Sequence, residues 1–393
     1  MEEIQIDHQL NHQYGKYTGN EHKYVMQFLD NTKEPWTYRL EKAFAEKFGV
    51  KYAVAHNSCT SALHTALAAC SVGVWDEVIS PGLTVIMDAF ATMYTGARPV
   101  FADIDPDTFN IDPTDIQRKI TKFTRAIVVV HLYGLPADME PIMEIAKEHH
   151  LWVIEDSAQC VLATYKGKLA GTIGHIGCFS FERSKHLAIG EGGMLVTNWA
   201  GVAERARKFA GIGYKNLTAE QGRMQVVPAT FQDPSYKRHD TLGYNYRMPE
   251  ISAAVGLAQL ERAELIVSGR ELVAQLFAGA IEGCPWMIPQ KTPEGYTNTY
   301  YTYAVKYEGQ AALGVSWRAF YNKYIEMGGD GFYACYSVPY QEPALKTMFI
   351  DGNCPVAEAT QPKLMQFKTN YRDMELAKRK AEALRKTIKA LEA

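Results

Sequence analysis

Between residues 52 and 198, short apolar runs alternate with segments of helical periodicity. This alternation constrains the fold more than any other feature of the chain. Ala126-Ile127-Val128-Val129-Val130 is continuously apolar and largely β-branched, the mark of a strand buried on both faces. Residues 52–55, 78–80, 99–104, 152–154 and 178–181 give shorter strand candidates. Between them, Ala62, Leu63, Ala66, Leu67 and Cys70 fall on one helical face, and Asp112 followed by Pro113 reads as a helix start. The expectation is an α/β fold, a large domain with a mostly parallel central sheet flanked by helices. From about residue 266 the pattern becomes that of a smaller α+β domain, with a tyrosine-rich strand at 300–307. Ala377, Ala381, Leu384, Ile388 and Leu391 close the chain as an amphipathic helix. The expected division is an N-terminal arm over 1–33, a large domain over 34–265 and a small domain over 266–393.

Composition narrows the function. Lys plus Arg number 41 against 44 Asp plus Glu, a formal net charge of −3. So even a balance gives no support for nucleic acid or an anionic membrane as partner. Seven scattered cysteines without a CxxC pair argue against a zinc knuckle or a disulfide framework, so no metal is expected. The acidic, polar start MEEIQIDHQL is not a signal peptide, and no run of about 18 apolar residues offers a membrane span. Free thiols in a cytoplasmic protein are the expectation. Neither G-x-G-x-x-G after a strand nor G-x-x-x-x-G-K-S/T occurs, which removes the dinucleotide fingerprint and the P-loop.

The chemistry concentrates between Trp152 and Asn198. The strand at 152–154 delivers Glu155 and Asp156 to its carboxyl end, with Gln159 three residues beyond. The strand at 178–181 carries Ser180 and leads to Lys185, in a segment closed by Gly190-Glu191-Gly192-Gly193. A carboxylate after one buried strand and a lysine after a second is what a pyridoxal phosphate enzyme requires. The lysine forms a Schiff base with the aldehyde, and the acid keeps the pyridine nitrogen protonated. Upstream, Asn57-Ser58-Cys59-Thr60-Ser61 opens a helix, where free amides and the dipole suit a phosphate; simple N-capping by Ser58 or Thr60 is the bland alternative.

The three blocks E-D-x-A-Q, F-S-F-x-x-x-K and G-E-G-G, in this order, resemble the DegT/DnrJ/StrS aminotransferases, pyridoxal phosphate enzymes of fold type I acting on sugars. The resemblance implies that Lys185 binds the cofactor and moves the proton, and that Asp156 stabilises the pyridinium. Gln159 would contact the ring or its 3-hydroxyl. Ser58, Cys59, Thr60, Ser61 and Ser180 would hold the phosphate. Cys59 stands where the family usually has glycine, and Val85 where it usually has an aromatic residue or histidine over the ring. Gly19 and Asn20 match a segment that lies near the substrate in the family. Gly243-Tyr244-Asn245-Tyr246-Arg247 matches a block whose asparagine reaches the phosphate of the neighbouring subunit, which implies a homodimer. His131, at the carboxyl end of the apolar strand where α/β sheets bind ligands, reads as structural or as a support to the site rather than as catalytic.

What the resemblance implies is amino transfer from L-glutamate or glutamine to a keto sugar, in first place a nucleotide-linked one, by a ping-pong Schiff-base scheme. Two alternatives stand beside it. A sugar dehydratase of the same family has histidine in place of the lysine, and here His186 follows Lys185. A regulatory or sensor protein could also use this fold.

Overall fold

A computed structural model describes residues 16–31, 33, 35–222 and 226–392. The first half of the expected arm, residues 1–15, lies outside this range. The central sheet contains β1 (Tyr52–His56), β2 (Glu77–Pro81), β3 (Arg98–Ala102), β4 (Thr124–Val130), β5 (Trp152–Asp156), β8 (Ile176–Ser180) and β9 (Gly193–Thr197). A small hairpin, β6 (Thr164–Tyr165) with β7 (Lys168–Leu169), interrupts it in sequence. The order across the sheet is β1-β9-β8-β5-β4-β2-β3, and β9 pairs antiparallel with both its neighbours while the remaining pairs are parallel. The α/β reading with a mostly parallel sheet therefore holds.

Register places the motif ends side by side. His56, Gly193 and Ser180 form one row across β1, β9 and β8. Asp156 pairs with Cys178 on one side and Val130 on the other. The carboxyl ends of β1, β4, β5 and β8 thus share an edge with the start of β9, the position at which open α/β sheets bind ligands.

Packing fixes this edge. Helix Trp36–Phe48 lies against the sheet through Phe44 and Phe48, whose rings sit 5.1 and 4.8 Å from Phe179 of β8. Its Glu41 accepts two bonds from buried Arg207, at 3.1 and 2.9 Å, and one from the Ala55 amide at 2.8 Å. The helix is thereby tied to β1 just before the Ser58 turn. Helix Cys59–Ala69 covers the other part of the sheet with Ala62, Leu63, Ala66 and Leu67, all buried.

The spacing of Ile251, Ala254, Val255 and Ala258 predicts one buried face of the helix Glu250–Glu261, at a subunit interface or in the core. Ala254 and Ala258 are buried, but Ile251 is exposed and Val255 only half-buried. The packed side instead runs through Ala253, Ala254, Leu257 and Ala258, because helices Glu21–Asp30 and Trp36–Phe48 both press on it. Beyond it, helix Ala263–Ile281 runs across the expected boundary at 265. The C-terminal part is a four-stranded antiparallel sheet, β10 (Met287–Pro289), β11 (Thr302–Tyr307), β13 (Leu364–Lys368) and β12 (Tyr333–Ala334), in that order. Its core is aromatic, with Trp286, Tyr303, Phe320, Tyr324, Phe332 and Phe367 under the helix Met374–Glu392. All seven cysteines are free.

Candidate active site

The Ser58 turn is a complete capping box. Ser58 Oγ accepts the Ser61 amide at 3.1 Å, and Ser61 Oγ accepts the Ser58 amide at 3.2 Å. The bland reading of Ser58 as an N-cap is thus correct, and it does not spoil the anion site. The amides of Cys59 and Thr60 begin the helix and have no carbonyl of their own helix to bond. Cys59 is not in a left-handed conformation, so a side chain costs nothing in strain where the family usually has glycine. Gly193 is different. A Cβ there would stand 2.5 Å from the Ser58 carbonyl oxygen and 2.7 Å from the Cys59 nitrogen, so only glycine lets β9 pass beneath the turn.

Lys185 lies on a loop held from several sides. Its amide bonds the Glu182 carbonyl at 2.9 Å, and its Nζ sits 4.4 Å from the centre of the Tyr301 ring. Tyr301 Oη and Ser184 Oγ are 2.9 Å apart. Arg270, buried in the helix Ala263–Ile281, donates to the carbonyls of Ser184, Lys185 and Tyr301 at 2.8 to 2.9 Å. Burial pulls its guanidinium down to about 10. His186 points elsewhere: its ring is buried and its Nε2 lies 2.9 Å from the Thr299 carbonyl. The bond to a carbonyl makes Nε2 the protonated nitrogen.

A cavity of about 550 Å³ opens beside Lys185, with Thr84, Val85, Tyr133, Gln159 and Tyr301 on its walls. Tyr333, Tyr336, Lys368 and Asn370 of the C-terminal part close the far side. Gln159 Oε1 accepts the Tyr133 amide at 2.8 Å, which fixes the orientation of its amide group. Asp156 and Ser180 do not line this cavity; both are buried, at 2% and 5% exposure. Burial pushes the Asp156 carboxyl up, while the Ala158 amide and nearby Lys185 pull it back. His131 is buried too. The Ala137 amide donates to its Nδ1 at 3.0 Å, so Nε2 carries the proton toward Glu155 at 2.8 Å. This buried pair does not line the cavity.

Pyridoxal phosphate needs an anion site, an amine, a carboxylate for the ring nitrogen and an apolar ring face. The donor set present fits it: the Cys59 and Thr60 amides with Ser180, then Lys185, Asp156 and Val85. Gln159 stands at the same cavity. Asn245 is exposed and Gly19 and Asn20 bond to Glu21 and Glu261, so none of these three lines the cavity within the single chain. Among the described residues, no group of His, Cys, Asp or Glu could hold a metal ion, and no helix is long and apolar enough to cross a membrane.

Sequence reasoning missed Arg270, Tyr301 and Asp88. A lone arginine in an apolar helix and a tyrosine among many carry no spacing signal. Tyr133 could have been found: it follows His131 at a strand's carboxyl end, and its backbone is left-handed with φ 63°.

The chain is similar to known proteins in sequence and in fold. Residues 17–378 match the sequence pattern of the DegT/DnrJ/EryC1/StrS aminotransferase family. A GDP-perosamine synthase of Caulobacter vibrioides is 44% identical over 259 residues, which cover 65% of this chain and 65% of that protein. An aminotransferase structure from Psychrobacter cryohalolentis superposes with a TM-score of 0.86 at 30% identity, covering 95% of this chain and 97% of that one. The S. venezuelae protein DesV, solved with a ketimine intermediate, gives 0.82 at 28% identity over 94% of both chains.

Proposed function

The chain belongs to the DegT/DnrJ/EryC1/StrS aminotransferase family, and from that premise we propose that it transfers an amino group from L-glutamate or glutamine to a nucleotide-linked keto sugar, using pyridoxal phosphate. The observation that carries the reading is the pairing of Lys185 at the cavity with His186 turned away into the Thr299 carbonyl. A lysine in that place supports amino transfer; the dehydratase alternative needs a histidine there.

When bound, the cofactor supplies a reactive aldehyde and an electron-withdrawing ring. The chain's own residues do the rest. Lys185 Nζ holds the cofactor covalently, and when released it is the base that moves the substrate proton. Asp156 keeps the ring nitrogen protonated by charge. The Cys59 and Thr60 amides, with Ser58, Ser61 and Ser180, hold the phosphate, and Val85 packs on the ring face. Gln159 donates to the ring substituent. The tyrosines of the outer cavity offer flat apolar faces to a sugar and its base, and Lys368 offers a cation to a diphosphate. Likeness to the GDP-perosamine synthase supports the nucleotide-linked sugar class.

We read the working unit as a homodimer in which Asn245 completes the partner's phosphate site. Exposed Leu242 and Tyr244 flank Asn245, an apolar surface suited to such a contact. The three-part division of the chain and a cytoplasmic location belong to the same reading.

Borohydride reduction of the purified protein should fix a pyridoxyl group on Lys185, and a panel of nucleotide-linked keto sugars should show glutamate- or glutamine-dependent conversion by mass spectrometry. A label on another lysine, or no label after added pyridoxal phosphate, would overturn the assignment.

A further inference from the structure

Next to Asp156 lies a second buried carboxyl group that no motif announces. Asp88, on the helix Met87–Tyr94, is 0% exposed. Thr84 donates Oγ1 to Asp88 Oδ2 at 3.1 Å. The other oxygen, Oδ1, finds no donor among the described residues, and the Asp156 carboxyl, itself an acceptor, is a near neighbour. Two carboxylates in hydrogen-bonding contact and out of water repel strongly, and neither can donate. A proton between them removes both problems at once.

The surroundings decide which residue carries it. Asp156 Oδ1 accepts the Ala158 amide at 2.8 Å and faces the Cys59 thiol at 3.9 Å. Lys185 is also close enough to favour its charge. Asp88 has only the Thr84 hydroxyl and its own helix. Burial pushes Asp88 well above the ordinary carboxylate range, and Asp156 pushes it further; burial raises Asp156 too, but its donors and Lys185 draw it back. Cys59 and Cys178, which face both carboxyls, are themselves pushed up by burial and stay neutral thiols.

We propose that Asp88 is a positioning residue whose neutral carboxyl group donates a hydrogen bond to Asp156, keeping Asp156 ionised and oriented toward the cofactor's ring nitrogen. A carboxylate offers about four acceptor sites. With Ala158, Cys59 and Asp88 on three of them, one remains for the ring N–H. The role toward the cofactor rests on the function proposed above; the hydrogen-bonded acid does not, and is present without cofactor.

The test uses the full-length chain with and without pyridoxal phosphate, as wild type, Asp88→Asn and Asp88→Ala. Infrared difference spectra of the cofactor-free proteins at neutral pH should show the carbonyl stretch of a neutral carboxylic acid in wild type and its loss in both variants. Asparagine keeps a donor toward Asp156, so Asp88→Asn should bind pyridoxal phosphate within about threefold of wild type. Asp88→Ala leaves a buried charge short of a donor and should bind about tenfold or more weakly. An acid band that is absent from wild type, or that survives in Asp88→Asn, overturns the proposal. So does wild-type affinity in Asp88→Ala. If Ala does not fold, Asn and the infrared band still decide it. If wild type itself binds no pyridoxal phosphate, the proposed function falls while the band still tests the acid.

Discussion

The Nζ of Lys185 rests 4.4 Å above the ring of Tyr301, a residue 116 positions away on the C-terminal side of the cavity. The contact parks a flexible cation at the mouth of the site; such contacts contribute about 0.5–1 kcal/mol where partly exposed. Tyr301→Phe keeps the ring and loses only the bond to Ser184 Oγ, so cofactor attachment at Lys185 should stay within a few-fold of wild type. Tyr301→Ala removes both and should slow attachment by about fivefold or more. Rapid-mixing absorbance after adding pyridoxal phosphate to cofactor-free protein checks this.

Gly193→Ala should damage the phosphate end of the site without touching Lys185. The added Cβ meets the Ser58 and Cys59 backbone, which cannot swing aside as a side chain can. Overpacking of this kind costs about 1–3 kcal/mol. The melting temperature should fall, and inorganic phosphate should compete less well with the cofactor. An unchanged melting curve and unchanged phosphate competition would show that β9 and the turn accommodate the added methyl group, against this reading.

Acid should destabilise the protein through buried histidines. Burial lowers His56 to about 4 and pushes His186 well below its usual 6.5. Unfolded, both titrate near 6.5. Between pH 6.5 and about 4 the unfolded chain therefore binds protons that the native state refuses, and stability falls as pH falls. Asp88 acts oppositely, since its raised carboxyl keeps in the native state a proton that the unfolded chain releases. The clean measurement is a difference. In denaturant titrations across this window, His56→Gln should lessen the pH dependence by about 1.4 kcal/mol per pH unit relative to wild type.

Mixed dimers test the role of Asn245. Lys185→Ala and Asn245→Asp should each be nearly inactive, the second because a carboxylate would face the phosphate. If Asn245 serves the partner's site, a mixed dimer gathers both lesions in one site and leaves the other intact. Mixing the two proteins should restore up to about half of the wild-type activity per mixed dimer. Proven subunit exchange without recovered activity would place Asn245 in its own chain's chemistry or in another assembly.

What the sequence determined by itself was local and periodic. Apolar runs such as 126–130 announced the buried strands, Asp112 marked a helix start that the structure bears out, and the blocks around Asp156, Lys185 and Gly193 announced the family. Side chains two or four residues apart, or at the ends of strands, leave such marks because backbone geometry repeats. Tertiary structure alone decided the rest. It turned Ile251 outward, because two helices compete for one face of its neighbours. It brought Arg270 and Tyr301 to Lys185 from a different part of the chain, and set Asp88 against Asp156 across 68 residues. These contacts depend on how whole elements cross, so no spacing encodes them. A carboxyl group reads in sequence as a charge, and only its burial beside another carboxyl makes it an acid that keeps its proton.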